Sequence, residues 1–297
     1  MKSFPPDILV LDAGSLLHAR FGRGKSTPRL VHAKSYRLPA DTFSAAPVSP
    51  LLTNESGLAE ALRRLRVESG TWQRASLLLP DSWFRMNLVD LPSFNEHQQD
   101  ALEVVRWSLK RTLPVPPEDL RVAYEVITRT PTSVKLLVIS ALETTLAAVE
   151  RVFTAANLDV VLIEPLGLNL WNAVAVREPD SDRDRLLLYV RDDEFTTAVF
   201  RGSRPMFLRS RNLAGDRSLQ QEIRLSATYL RDTLGTDGYD ACYLAGSAIP
   251  ANLGETIASE FRSPVRTISL RDFVEQVPAD LPGAEAELAA CTGVFTL

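Results

Sequence analysis

Chemistry in this chain could begin at Asp12, Gly14 and Ser15, within the stretch DILVLDAGSLLHARFGRG from Asp7 to Gly24. An aspartate at the C-terminal end of a buried strand occupies the usual position of an active residue in an α/β fold. The glycine and serine after it offer backbone N–H groups and a hydroxyl to a phosphate. The same letters also describe an aspartate capping its own turn. A second turn, Asp192-Asp193-Glu194, follows another apolar strand. Three carboxylates repel a polyphosphate unless a cation such as Mg²⁺ intervenes, and a solvated turn is the competing reading. Leu244-Ala245-Gly246-Ser247-Ala248 reads as a strand end opening a helix, so Gly246 could approach a ligand at a helix N-terminus. No dinucleotide fingerprint, phosphate-binding loop, HExxH, CxxC or GxSxG motif occurs. His18, His32 and His97 are far apart in sequence, the first two inside expected strands, and no nucleophile–base pair stands out. Trp83, Phe84, Met86 and Leu88 could line a groove for a peptide, although strands alternate and about half of them must face a core.

The elements that position these residues repeat. Asp7 to Gly24 reads as strand, turn, strand and hairpin turn. Arg185 to Asp216 reads the same way and adds a third strand, so two related α/β lobes are expected. Between them, Arg29–Pro39 is a third strand. Ser56 caps a helix carrying Leu58, Leu62 and Leu65, with Arg63, Arg64 and Arg66 as a solvated basic face or an anion site. Two extended runs flank Pro80-Asp81-Ser82. A helix then puts Ala101, Val104, Val105, Leu109 and Trp107 on its apolar side and stops before Pro114. A hairpin follows, then a helix with Leu146, Val149, Val152 and Phe153 inward, then strand LDVVLIEP. Residues 80–163 are therefore expected to form a small inserted α/β subdomain. The first lobe spans 1–79, completed by helix 165–178, and the second spans 185–297. In the second lobe a long helix buries Leu219, Ile223, Ala227 and Leu230 before a strand–helix–strand crossover typical of a parallel sheet.

With 297 residues, 45% hydrophobic and 24% charged, the chain can bury a large core, and its net charge of −4 gives no general attraction to nucleic acid. Two cysteines, Cys242 and Cys291, each among small or apolar neighbours, read as buried free thiols in a reducing compartment. Two cysteines and three histidines leave little for structural zinc. The apolar run at the start is short and is broken by Asp12, so it resembles neither a signal peptide nor a membrane span. A cytoplasmic protein that docks on a membrane complex is expected.

Several stretches resemble one family. LDAGS (Asp12 to Ser15 at its end) is similar to a strand ending in DIG-S. LLLPDSWFRMNLVDLP and VVRWSLKRTLPVPPEDLRVAYEVI resemble a P-D…LP run and an R-W…LP-x-P signature, on Arg106, Trp107, Leu113, Pro114 and Pro116. Gly215 and Asp216 resemble a G-G-D turn, and Tyr243 to Phe261 an adenosine-side segment with two glycines lost. These are features of PilM, the actin-like family of type IV pilus assembly related to FtsA, and of the cytoplasmic part of GspL. The resemblance implies an actin-like, ribonuclease H-like α/β fold of duplicated lobes with a small inserted subdomain. It also implies ATP between the lobes, and a groove beside the insert that holds the cytoplasmic N-terminus of a bitopic, PilN-like inner-membrane partner. Trp83, Phe84, Met86 and Leu88 would then be partner-binding, and Asp12, Gly14, Ser15 and Gly246 what remains of a nucleotide site. The chain departs from the family at Tyr189, Val190 and Arg191, where Asp, Ile and Gly are the family pattern. It also departs after Asp216, where an outer subdomain is missing. The expectation is a degenerate, non-hydrolysing scaffold without cofactor. The alternatives are an actin-like ATPase switch with weak Mg-ATP binding, and a soluble enzyme of another class.

Overall fold

The computed structural model describes residues 4–46, 48–70, 72–92, 94–110, 113–178, 182–191, 194–213, 218–236, 238–247, 249–278 and 280–297. Asp192, Asp193, Gly215, Asp216 and Ala248 lie outside the described residues. The chain divides into two compact units, Pro5–His18 with Lys34–Pro165, and Ala19–Ala33 with Leu166–Leu297.

Up to Pro165 the elements are β1 (Asp7–Leu11), β2 (Ser15–Gly22), β3 (Arg29–Arg37), short β4 (Phe43–Ser44) and β5 (Leu51–Leu52), α1 (Glu55–Ser69) and β6 (Arg74–Leu79). They continue with β7 (Arg85–Leu91), α2 (Ala101–Leu109), β8 (Leu120–Arg129), β9 (Val134–Leu142), α3 (Glu143–Ala155) and β10 (Asp159–Pro165). Five strands form one sheet in the order β10-β6-β1-β2-β3, with β1, β6 and β10 parallel. Every residue of DILVL is buried, as expected for a parallel strand covered on both faces. Leu58, Leu62 and Leu65 of α1 share one core with Leu146, Val149, Val152 and Phe153 of α3 and with Leu9, Leu77 and Leu79 of the sheet. Each fully buried leucine contributes about 2 kcal/mol.

Three details differ from the sequence expectation. The cap of α1 is Asn54, whose side chain accepts the Gly57 N–H at 2.9 Å, while the Ser56 hydroxyl donates to the same Asn54 oxygen. Trp107 is not on the apolar side of α2: Ala101, Val105 and Leu109 fill that side at four-residue steps, and Trp107 is 73% exposed. Two residues from Val105 is about 200° round a helix, so the stripe that buries Val105 turns Trp107 outward. The strand expected to close the small subdomain, β10, pairs instead with β6 in the large sheet, and α3 packs on α1. The separate sheet is β7-β9-β8 alone. Its core joins Leu91, Val134, Leu136 and Val138 to the buried side of α2.

The second unit runs α4 (Leu166–Ala175), β11 (Asp184–Arg191), β12 (Glu194–Arg201), β13 (Arg204–Asn212), α5 (Leu219–Leu234), β14 (Ala241–Gly246), α6 (Leu253–Phe261), β15 (Val265–Thr267) and α7 (Glu285–Cys291). Its sheet order is β13-β12-β11-β14-β15, with β11, β14 and β15 parallel and β11-β12-β13 antiparallel. Strand for strand this repeats β3-β2-β1-β6-β10, with a helix before each of the last two strands in both sheets. The duplication visible in the sequence is thus a duplication of topology, and it explains why β10, the counterpart of β15, belongs to the large sheet.

Helix α5 begins at Ser218, whose hydroxyl accepts the Gln221 N–H while the Gln221 side chain accepts the Ser218 N–H, and ends at Gly235 in the left-handed region. Ile223, Ala227 and Leu230 face the core. The small-residue tail lets backbones approach: a Cβ on Gly293 would lie 2.0 Å from the Asn169 carbonyl oxygen of α4.

Candidate functional site

The turn after β1 is held by its own aspartate. Asp12 Oδ1 accepts the N–H of Gly14 at 2.8 Å and of Ser15 at 2.6 Å, and Oδ2 accepts the Ser15 hydroxyl at 3.2 Å. The Asp12 N–H donates to the Ser15 carbonyl, and the Gly14 carbonyl accepts from Leu38 N–H. Both donors that a phosphate would need therefore point at a carboxylate. An anion entering this turn would have to displace Asp12 and sit beside its charge. Gly14 itself is under no steric demand, since a Cβ there would meet nothing nearer than Asp12 Oδ1 at 3.8 Å.

In the other unit, Gly246 does not open a helix, because α6 starts only at Leu253. Its small size serves the sheet. It pairs with Val190, and a Cβ would lie 2.0 Å from the Val190 carbonyl oxygen, which also accepts the Ser247 N–H. At the end of β11 a buried polar group has formed. The fully buried Tyr189 hydroxyl donates to Glu287 of α7 at 3.2 Å, and Arg191 lies 3.6 Å from the same carboxylate. Glu194, 2% exposed, accepts from the Thr196 and Ser210 hydroxyls. Side chains of the chain itself occupy these polar positions.

The four residues expected to meet a peptide separate into two pairs. Trp83 and Phe84 are each 5% exposed and belong to the large core, with the Trp83 ring 4.9 Å from Phe43. Met86 and Leu88 are half-buried on β7, which is an edge of the three-stranded sheet. The β4–β5 segment braces the place where the two sheets of this unit meet. The Ser49 hydroxyl donates to the Trp83 carbonyl at 2.6 Å and accepts the Leu142 N–H, and the Thr145 hydroxyl donates to the Pro50 carbonyl. Trp83 and Phe84 are therefore core residues and not surface for a partner, and Met86 and Leu88 keep partial exposure. Between them on the other face of β7, the Asn87 Nδ2 is buried with no hydrogen-bond partner among the described residues.

Two further groupings bear on chemistry, the first of them invisible in the sequence. His18 Nε2 lies 2.8 Å from Asp7 and Nδ1 lies 3.1 Å from the Ser69 hydroxyl, the connectivity of a serine triad. The electrostatics oppose that use. Ser69 is in the last turn of α1, where carbonyl ends concentrate negative potential against an oxyanion. His18 is 0% exposed and stacked on Trp72, out of reach of a substrate. The group fixes β1, β2 and α1 together. A cavity of about 570 Å³ lies between α1 and α3, with Arg63, Arg66 and Arg151 on its walls. Arg63 forks onto Glu60, Arg151 bonds Glu55, and Arg66 donates to the Ala156 and Asn157 carbonyls at the end of α3. These arginines already have partners, which favours the solvated basic face over an anion site.

Burial pushes the Cys242 thiol up to about 12 and raises Cys291 as well. Both cysteines are free and buried, so neither has the exposed thiolate of a nucleophile.

No family model matches the sequence, and no curated protein is similar to it in sequence. Solved structures are similar in fold. A chain of a PilM–PilN type IV pilus biogenesis complex superposes with a TM-score of 0.81 at 16% identity, over 99% of each chain. A protein of unknown function with an actin-like ATPase fold from Bacteroides thetaiotaomicron VPI-5482 gives 0.56 at 12% identity, over 98% of each. The cytoplasmic domain of EpsL, an inner-membrane component of the type II secretion system of Vibrio cholerae, gives 0.56 at 12% identity, over 98% of this chain and 94% of that one. The chain therefore has an actin-like fold of duplicated α/β lobes.

Proposed function

We propose that the protein is a non-catalytic cytoplasmic adaptor in an inner-membrane assembly of the type IV pilus or type II secretion kind. It would hold the N-terminal cytoplasmic peptide of a bitopic, PilN-like protein. The observation that carries this reading is the likeness to a PilM–PilN complex over 99% of both chains. The peptide would lie against Met86 and Leu88 on the edge strand β7, with Trp83 and Phe84 behind them. No described helix is long and apolar enough to cross a membrane, so membrane proximity would come through that partner. The degenerate nucleotide site and the loss of an outer subdomain belong to the same proposal.

A second reading, an actin-like ATP-binding switch, is favoured by the survival of Asp12, Gly14 and Ser15 at the first turn. Against it stand the two N–H groups already bonded to Asp12. Thermal unfolding with Mg-ATP separates the readings. A ligand at a hundred times its Kd stabilises by about 2.7 kcal/mol, which raises the Tm of a domain this size by roughly 5 °C or more. The adaptor reading expects no shift at millimolar Mg-ATP; a shift of several degrees favours the switch.

A further inference from the structure

We propose that the outer edge of β13, in the second unit, takes an extended acidic segment of a partner protein as an added strand. β13 is the last strand of its sheet among the described residues. An edge strand presents alternate N–H and C=O groups with no ladder partner, and those groups are a template for another extended chain.

The strand reads RPMFLRSRN and carries three arginines and no acid. Arg209 lies 3.9 Å from Glu222 of α5, whereas Arg204 and Arg211 are exposed and no described acidic side chain pairs with them. Beside this basic edge lies apolar surface. Phe207 of β13 contacts Tyr229 of α5 at 5.5 Å between ring centroids, and Tyr229 is 48% and Leu225 46% exposed, one helical turn apart. In the pairing with β12, Arg204, Phe207, Arg209 and Arg211 share one face of β13 and Leu208 lies on the other, so an extended segment alternating acidic and aliphatic residues would set its acidic row beside the arginines and its aliphatic row beside Leu208.

The same charges choose between occupants. Two copies of this chain pairing edge to edge would set arginines against arginines, which is unfavourable across a strand pair. An acidic partner gains where a second copy loses. This surface is independent of Met86 and Leu88, which lie in the other unit.

The test uses the full chain and a fluorescein-labelled nonapeptide alternating glutamate and valine, followed by anisotropy. The expected result is saturable binding that weakens as salt is raised. The lysine–valine counterpart should bind at least about tenfold more weakly, a difference of about 1.4 kcal/mol. Arg204→Glu and Arg211→Glu, both surface changes, should each weaken binding by about fivefold or more with an unchanged melting temperature. N-methylation of alternate peptide residues separates strand addition from simple charge attraction. One methylation register should abolish binding and the other should leave it intact, because a strand uses only one row of its N–H groups in each ladder. Met86→Asp should leave this binding unchanged, so failure here and failure of the adaptor reading are distinguishable. Absence of binding, equal binding of both peptides, indifference to both variants, or equal tolerance of the two methylation registers would each overturn the proposal. So would concentration-dependent self-association that Arg211→Glu removes, which would assign the edge to a second copy.

Discussion

At the scale of single residues, Gly14 and Gly246, the two glycines the sequence offers to a nucleotide, have opposite natures. Gly246 is required by the approach of β14 to Val190, with a Cβ placed 2.0 Å from that carbonyl oxygen. Gly246→Ala should therefore cost about 1–3 kcal/mol in urea unfolding. Gly14→Ala, with its nearest contact at 3.8 Å, should stay within about 0.5 kcal/mol of the parent. Equal losses would mean that the sheet does not set the demand at Gly246. A pH dependence belongs at this scale too. Hydrogen bonds from the Arg121 guanidinium hold the Glu143 carboxyl below the ordinary carboxylate range, against the opposing effect of burial. A carboxyl whose folded value is depressed contributes stability that is complete above its unfolded value, about 4.3, and is lost as the pH falls through the folded value. Arg121→Met should thus be less stable than the parent at pH 7, and the deficit should shrink by pH 3. A deficit that persists unchanged at pH 3 would point to lost packing by the arginine stem. The sequence did not disclose the His18–Asp7–Ser69 group, because its members are 11 and 51 residues apart and only the sheet and α1 bring them together.

At the scale of elements, most of the secondary structure was legible because strands and helices carry their periods openly. The β8–β9 hairpin, the inward face of α3 and the long helix α5 stand where the apolar pattern put them. What could not be read was membership. LDVVLIEP is a strand in any context, and only its pairing with β6 assigns it to the large sheet rather than to the insert. Trp107 shows the same limit: one aromatic residue adds hydrophobicity to a helix without saying which way it faces, and the four-residue step of its neighbours decides. Caps are local but ambiguous when two candidates stand close, as Asn54 and Ser56 do. The geometry assigns the cap to Asn54, so Asn54→Ala should cost about 1 kcal/mol by urea unfolding, and Ser56→Ala should cost clearly less. The reverse order would return the cap to Ser56.

At the scale of the whole molecule, two sheets with one strand order place the chain among actin-like folds, and the likeness to a PilM–PilN complex supports the reading as an adaptor. In the first turn an aspartate, a glycine and a serine bond to one another. The end of β11 has gathered Tyr189, Arg191 and Glu287 into a buried group. In the proposed function, recognition lies on the surface, at the β7 edge with Met86 and Leu88. The most direct measurement is a calorimetric titration of the full chain with the N-terminal cytoplasmic peptide of a PilN-like protein, with and without millimolar Mg-ATP. The expected result is saturable binding of one peptide per chain, unchanged by Mg-ATP and strongly weakened by Met86→Asp. Absence of peptide binding, or binding that appears only with Mg-ATP, would contradict it.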